Sequence, residues 1–237
     1  MFLMTGVTTT FDLASSYSIS DTLADDSLST LPAGQSYTAG NGAGTAITKQ
    51  GVGSLVLSGA NTYHGATAVN AGVLRVVAPG KIDKSTTTIA AAGTLTGNGT
   101  AGPIVSFGTL APGTSIFPHG TLAVTGALQI QLGALTCFHA DAANAISDIN
   151  VSGNATLNGI ARIDFSGGPS VGTTYFPLTA GTVSGAFSGY ETNMPNLLCH
   201  FTYGNPVTFT VDASDVLFRD GMEQSISDSP CIAAFAD

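Results

Sequence analysis

Charged side chains are scarce in this sequence, at 9% of 237 residues. Six lysines and arginines are scattered along the chain against fifteen aspartates and glutamates, which gives a formal net charge of −9. Binding to a nucleic-acid backbone needs clustered Lys and Arg that replace condensed counterions, and an anionic membrane surface attracts the same clusters. The composition therefore predicts that the chain binds neither nucleic acid nor an anionic membrane surface.

Long apolar runs are also missing, although 43% of the residues are hydrophobic. No run approaches the roughly 20 apolar residues that a membrane-spanning helix needs, which predicts that this chain does not insert into a membrane. The first six residues, from Met1 to Gly6, show no basic stretch followed by an apolar one, so we recognise no secretory signal peptide. If the protein is exported, we expect its signal to lie outside this chain.

Cysteine is rare, with three residues at wide spacing, Cys137, Cys199 and Cys231. Their number and spacing match neither a disulfide framework nor a CxxC metal site, which predicts a fold that does not depend on cysteine chemistry. His139 and Asp141 stand close to Cys137 and are also metal-ligand types, but no fourth zinc ligand is evident nearby. We therefore predict no metal site, and cysteines that act as small packed hydrophobic side chains.

Glycine, in contrast, is abundant, with 30 residues, and it recurs at the head of a Gly-x-apolar-x-apolar unit. The unit begins at six glycines: Gly53, Gly72, Gly93, Gly108, Gly120 and Gly126. The first three are 19 and 21 residues apart, which allows one coil of a solenoid with two or three short strands. Alternate Leu and Val would point inward and stack on their equivalents in neighbouring coils.

The strand pattern indicates an all-β protein, and we favour a solenoid over an antiparallel sandwich or barrel. The sandwich remains the alternative, because only the scarcity of Asn-Gly hairpin turns between alternating strands argues against it. Each glycine is expected to allow a sharp turn, often with positive φ, where a Cβ would clash. Asn61, Asn70 and Asn98 suit the same turns, because Asn tolerates the left-handed region.

Four segments are predicted along the chain. Residues 1–44 form an irregular N-terminal segment and incomplete coil, with an acidic loop from Asp21 to Ala33. Residues 45–187 form the solenoid coils, residues 188–218 form C-terminal capping strands, and residues 219–237 are a tail without clear periodicity.

The stretch from Ile47 to Val76, ITKQGVGSLVLSGANTYHGATAVNAGVLRV, resembles the passenger-associated transport repeat of autotransporters. Its usual form, LTKxGxGxLxLSGxNTYxGxTxVxxGxLxV, is matched at nearly every fixed position. Gly93 to Thr100 and Gly108 to Ile116 resemble the segment that follows this repeat in many passengers. The resemblance implies a right-handed parallel β-helix, with a less regular C-terminal cap, from the cell surface or exterior of a Gram-negative bacterium.

The same resemblance implies a stalk whose C-terminal coils fold first outside the cell and help to draw the passenger across the outer membrane. Its partner would be the outer-membrane β-barrel translocator into which the family normally continues, and which this chain, ending at Asp237, does not include. We therefore interpret the chain as a fragment or an excised domain. Phe117-Pro118-His119 departs from the family pattern and predicts a small local insertion.

Two enzyme hypotheses are weaker than the structural one. Gly113-Thr114-Ser115 followed by Pro118 is similar to a subtilisin nucleophile motif, but the separate Asp and His motifs of an α/β protease are absent. A polysaccharide-active β-helix needs converging carboxylates, and Asp25-Asp26 is the only adjacent acidic pair, in what we interpret as a solvated loop. We predict no enzyme, no catalytic or metal-binding residues and no cofactor; an adhesin that binds host or neighbouring-cell glycans or proteins is the main alternative to the stalk.

Overall fold

The computed structural model describes residues 1–3, 6–25, 44–115, 118–194, 197–214 and 231. These residues form 23 β-strands, most of which wind around a common core as three faces. The first face of the winding contains β2 (Thr8–Asp12), β5 (Ala46–Gln50), the start of β7 (Thr67–Val76), the start of β9 (Thr87–Gly97), β11 (Ile104–Ser106), β14 (Leu128–Ile130), β17 (Asn154–Leu157) and β20 (Thr182–Gly185).

After each strand of the first face, the chain turns a corner and enters a strand of the second face. It contains β3 (Tyr17–Ile19), β6 (Ser54–Leu57), the ends of β7 and β9, β12 (Thr109–Pro112), β15 (Leu135–Ala140), β18 (Ile160–Phe165) and β21 (Gly189–Thr192). The third face contains β8 (Lys81–Ile82), β10 (Thr100–Ala101), β13 (Thr121–Val124), β16 (Asp148–Val151) and β19 (Thr174–Thr179). Near the N-terminus, β1 (Phe2–Leu3) pairs with β4 (Ala24–Asp25).

Parallel pairing between successive coils makes the molecule a β-helix and not a sandwich. Ile47 pairs with Thr67, Thr67 with Thr87 and Thr87 with Ile104, so one coil advances by about 20 residues between Ile47 and Ile104. The predicted solenoid and its coil length are therefore confirmed.

The core consists of apolar side chains stacked along the axis of the β-helix. Leu55, Leu74, Leu95 and Leu110 are register partners in four successive coils, and all four are fully buried. Each buried leucine contributes about 1.5 to 3 kcal/mol relative to an exposed one. Because every coil supplies one layer of each stack, a coil completes its core only between neighbours.

Glycines at the corner between the first and second faces are required for two different reasons. Gly72 has the positive φ that the sequence led us to expect, 66°. Gly93 and Gly108 do not, but a Cβ on either would lie 2.1 Å from a carbonyl oxygen of the preceding coil, that of Val69 or of Ala90. At these two positions the close approach of adjacent backbones, and not the turn, excludes a side chain.

The C-terminal end of the β-helix is covered by two antiparallel strands, β22 (Leu197–Thr202) and β23 (Val207–Ser214). β23 pairs with β19 of the third face, and β22 pairs with β23. Phe209 is fully buried there against the rings of Phe165, Tyr190 and Phe201. The sheet edge at this end therefore ends in an antiparallel pair packed on an aromatic cluster.

The prediction that cysteine chemistry plays no part in the fold is wrong. Cys137 and Cys231 form a disulfide, with Cα atoms 5.7 Å apart and 94 residues of sequence separation. Cys199 is a buried free thiol, as predicted for a small packed side chain. Of the predicted tail, only Cys231 lies within the described residues, as do only residues 21–25 of the predicted acidic loop.

No helix in the described part of the chain is both long and apolar enough to span a membrane.

Candidate functional site

Several buried polar side chains lie in the coil that begins at Ile47 and in the coils on either side of it, and Asn61 is central among them. Its Oδ1 accepts a hydrogen bond from the backbone N–H of Leu23 at 2.8 Å, in the preceding coil. Its Nδ2 donates to the carbonyls of Gly59 and Lys81, both at 3.0 Å, and Lys81 belongs to the following coil. Asn61 was predicted as a turn residue, but its buried amide joins three successive coils.

Lys49 also links the same coil to the next one. The side chain is fully buried, and Nζ donates to the carbonyls of Gln50 and Gly51 at 2.8 Å and of Ala71 at 3.1 Å. Burial lowers the pKa of Lys49, and the nearby carboxylate of Asp12 opposes that shift. The three carbonyls supply the polar partners that a buried ammonium requires.

Hydroxyl groups form a third connection, between this coil and the next. The Tyr63 hydroxyl lies 2.7 Å from Thr67 Oγ1, which lies 2.7 Å from Ser85 Oγ in the following coil. Ser85 in turn donates to the carbonyl of Gly65 at 2.7 Å. Burial raises the pKa of Tyr63 to about 12, with the hydrogen bonds to Thr67 and Ser85 acting in the opposite direction. The chain of hydroxyls satisfies buried polar groups that would otherwise oppose packing.

Asp25 connects the turn of the first coil to this network. Its carboxylate is fully buried, accepts the backbone N–H of Thr45 at 3.1 Å and of His64 at 2.6 Å, and lies 3.5 Å from Nδ1 of the His64 ring. The prediction of a solvated loop is therefore wrong for Asp25; Asp26 lies outside the described residues. The carboxylate is used to order backbone groups of adjacent turns.

The six side chains described so far share one property, which defines the candidate site. Each is a buried polar side chain of one coil that bonds backbone or hydroxyl groups of the coil before it, the coil after it, or both. We call the set of Asp25, Lys49, Asn61, Tyr63, Thr67 and Ser85 the inter-coil network. The network favours one register of the coils, because a strand slipped by one residue would break these hydrogen bonds and turn its side chains to the opposite face.

A second titratable cluster lies on the outer side of the second face, where the sequence drew attention to Cys137, His139 and Asp141. The rings of His139 and His119 stack with centroids 5.7 Å apart, and His119 Nδ1 lies 3.8 Å from Asp141 Oδ2. Burial lowers the pKa of His139, as does His119, while Asp164 and Asp141 raise it. The described residues contain no group of three or more His, Cys, Asp or Glu side chains placed to hold a metal ion.

The segment from Gly113 to Ser115 continues directly from strand β12. Gly113 donates its N–H to the carbonyl of Gly97 at 2.8 Å and accepts from Thr96 Oγ1 at 3.1 Å. A subtilisin-type nucleophile instead opens a helix. Of the insertion predicted at residues 117–119, Phe117 lies outside the described residues.

An exposed apolar line follows the corner between the first and second faces. Val52, Phe107 and Leu132 occupy this corner in three different coils, with 83%, 48% and 76% of their surfaces exposed. We call these three residues the corner ridge. Phe107 and Leu132 lie in adjacent coils, whereas the coils of β7 and β9 separate them from Val52.

Comparison with known families identifies the coil that holds the network. Residues 47–76 match the passenger-associated-transport-repeat family, as the sequence resemblance indicated. No curated protein matches the chain. Lys49, Asn61, Tyr63 and Thr67 of the inter-coil network lie within the matched residues.

Proposed function

We propose that this chain is a structural β-helical stalk fragment of an autotransporter passenger, which assists secretion and folding at the surface of a Gram-negative cell. The observation that carries the proposal is the position of Asn61 within the transport repeat. Its single side-chain amide joins three successive coils by hydrogen bonds. In the full protein its partner is the outer-membrane translocator.

The physical basis is the dependence of each coil on its neighbours. A solenoid grows by nearest-neighbour addition, and the costly step is to place a new coil in the correct register. A folded transport repeat presents polar groups, such as Asn61 and Lys49, that only a correctly placed neighbour can satisfy. Folding that proceeds coil by coil outside the cell would then favour export without a nucleotide as energy source.

The test compares two asparagines of the same repeat in the full-length parent. Asn61→Ala removes three side-chain hydrogen bonds, two of them to neighbouring coils, whereas Asn70→Ala changes an exposed side chain and serves as the control. Surface display is measured by flow cytometry with an N-terminal epitope, against total passenger on an immunoblot. We expect several-fold lower display for Asn61→Ala and for deletion of residues 47–76, and unchanged display for Asn70→Ala. Normal display of both the Asn61 variant and the deletion would refute the secretion role.

Adhesion to host or neighbouring cells is the second candidate, and the corner ridge favours it. Exposed apolar side chains that recur at one corner offer contact points for a surface protein or glycan. The purified chain should then bind cells saturably, and replacement of Val52 and Leu132 by Ser should weaken that binding. Absence of saturable binding by the unaltered chain would remove this candidate and leave the stalk proposal intact.

A further inference from the structure

Asn-Gly pairs carry a latent reaction within their own main chain. The described part of the chain contains two of them, Asn98-Gly99 and Asn158-Gly159, and a third, Asn41-Gly42, lies outside it. The backbone nitrogen of the glycine can attack the side-chain amide of the asparagine, because glycine has no Cβ to obstruct the approach. Asparagine counts among the thermolabile residues of proteins. The surroundings of each pair decide whether the reaction proceeds in the folded chain.

Both reacting groups of Asn98-Gly99 are bound to the preceding coil. Oδ1 of Asn98 accepts a hydrogen bond from the backbone N–H of Ala78 at 3.0 Å. The N–H of Gly99 donates to the carbonyl of Val76 at 2.9 Å. Both hydrogen bonds must break before the nitrogen of Gly99 can reach the side chain of Asn98, and each of them contributes to the stability of the native state.

Asn158-Gly159 forms the corner between β17 and β18, and its reacting groups are bound only to each other. The N–H of Gly159 donates to Oδ1 of Asn158 at 2.9 Å. No backbone carbonyl of the described residues accepts this N–H, and the side chain of Asn158 is exposed. The attacking nitrogen therefore already faces the amide that it would attack, and no bond to a neighbouring coil has to break.

The rest of this corner is closely packed between two coils. Gly159 has a φ of 66°, and a Cβ on it would clash with the carbonyl oxygen of Ala134 in the preceding coil. The carbonyl of Gly159 accepts hydrogen bonds from the N–H and the hydroxyl of Ser188 in the following coil, at 2.7 and 2.6 Å. A change in the length of the main chain at Asn158 would therefore disturb the contacts with both neighbouring coils.

We propose that Asn158-Gly159 is a self-modifying site, at which the folded chain converts the asparagine into isoaspartate and aspartate and consumes only water. The Gly159 nitrogen loses its proton to hydroxide and bonds to Cγ of Asn158. The side-chain nitrogen takes up a proton and leaves as ammonia, and a five-membered succinimide ring remains. Water then cleaves one of the two bonds between the ring nitrogen and a carbonyl carbon.

The bond that water cleaves decides the product. Cleavage at Cγ gives aspartate in an unchanged main chain. Cleavage at the main-chain carbonyl gives isoaspartate, in which the main chain runs through Cβ and Cγ and is one atom longer. Either product adds one negative charge. Because the corner is closely packed, isoaspartate should weaken the hydrogen bonds between Gly159 and Ser188 and accelerate hydrogen exchange at Ser188 and in β18.

Incubation of the purified, folded chain at mildly alkaline pH tests the site. A protease digest with electron-transfer fragmentation then locates isoaspartate at each asparagine, and the same incubation in concentrated urea gives the rate of each pair without the fold. We expect Asn98 and Asn158 to react at similar rates in urea. In the folded chain we expect Asn158 to react at least about tenfold faster, since two hydrogen bonds protect Asn98-Gly99. The conversion of Asn41 is scored separately.

Asn158→Gln is the control variant, because its longer side chain would have to close a six-membered ring, which forms much more slowly, and the position is exposed. It should form no isoaspartate at residue 158 and leave the rate at Asn98 unchanged, with the same circular dichroism as the unaltered chain. Equal rates at Asn98 and Asn158 in the folded, unaltered chain, whether slow or fast, would overturn the proposal. The measurement needs no cell, so its result does not depend on the proposed role in secretion.

Discussion

At the scale of the residue, Tyr63 and Cys199 are buried acids whose neutral forms the fold favours. Burial raises the pKa of Tyr63 from 10.0 to about 12 and that of Cys199 from 9.0 to about 11. A group with a raised folded-state pKa contributes its full stabilisation below its unfolded pKa and loses it as the pH rises through the folded value. The free energy of unfolding should therefore fall between pH 9 and pH 12, by about 1.4 kcal/mol per pH unit for each group. Lys49, whose pKa is lowered by burial, offsets part of this fall.

Urea unfolding at a series of alkaline pH values checks this prediction. Cys199→Ala should flatten the decline that begins near pH 9, and Tyr63→Phe the part that begins near pH 10. Tyr17→Phe, at a tyrosine that is 55% exposed, is the control and should leave the slope unchanged. A double variant of Tyr63 and Cys199 with the wild-type slope would show that other groups cause the alkaline loss.

At the scale of the element, the sequence predicts the strands better than it predicts their partners. Glycine spacing and alternating Leu and Val indicate a coil of about 20 residues, and the pairing of Ile47 with Thr67 confirms it. The role of Asn61 depends on which backbone groups lie above and below it, 38 residues earlier and 20 residues later. Such distances become contacts only after the number of residues in each coil is known, so a motif can mark Asn61 without revealing its partners.

The disulfide could not be predicted from the sequence for the same reason. Nothing local pairs Cys137 with Cys231 across 94 residues, because their approach depends on how the C-terminal coils and the cap are stacked. The only signal in the sequence is the strand alternation, which places Cys137 on the outer face. Burial of a side chain there requires another part of the chain to cover it. Asp25 was misread because an acidic residue in a loop is ordinarily solvated, whereas here the turn of the next coil covers it.

The close approach of strands at the corner gives a prediction for β9. Gly93→Ala would place a methyl group 2.1 Å from the carbonyl oxygen of Val69, so the coils of β7 and β9 must separate locally. We expect a loss of about 2 kcal/mol or more in the free energy of unfolding, in the range of overpacked sites. Gly189→Ala is the control, because nothing lies within 4 Å of a Cβ there and β21 is also a strand; we expect a change of about 0.5 kcal/mol or less. If the two variants had equal free energies of unfolding in urea, the coils would separate at the corner without a loss of stability.

At the scale of the whole molecule, a solenoid should transmit damage only to adjacent coils, since each coil contacts only its neighbours. Phe209→Ala offers the test, because the ring is fully buried against Phe201 and Tyr190, with centroid distances of 4.8 and 5.7 Å. Truncation should cost about 3 to 5 kcal/mol, and hydrogen exchange should accelerate in the strands from β18 to β23.

Hydrogen exchange in the coils far from Phe209 shows whether the damage is local or spreads through the whole molecule. Strands β5 to β9 should keep the protection of the unaltered chain, because the transport repeat is tied to its own neighbours by Asn61 and Lys49. Phe176→Ala, at a phenylalanine of β19 that is 53% exposed, should leave exchange unchanged throughout. If Phe209→Ala instead removes protection equally from β5 to β23, the molecule unfolds as one cooperative unit. One group of coils could then not stay folded while its neighbours are unfolded, and the coil-by-coil folding of the proposed secretion role requires that it can.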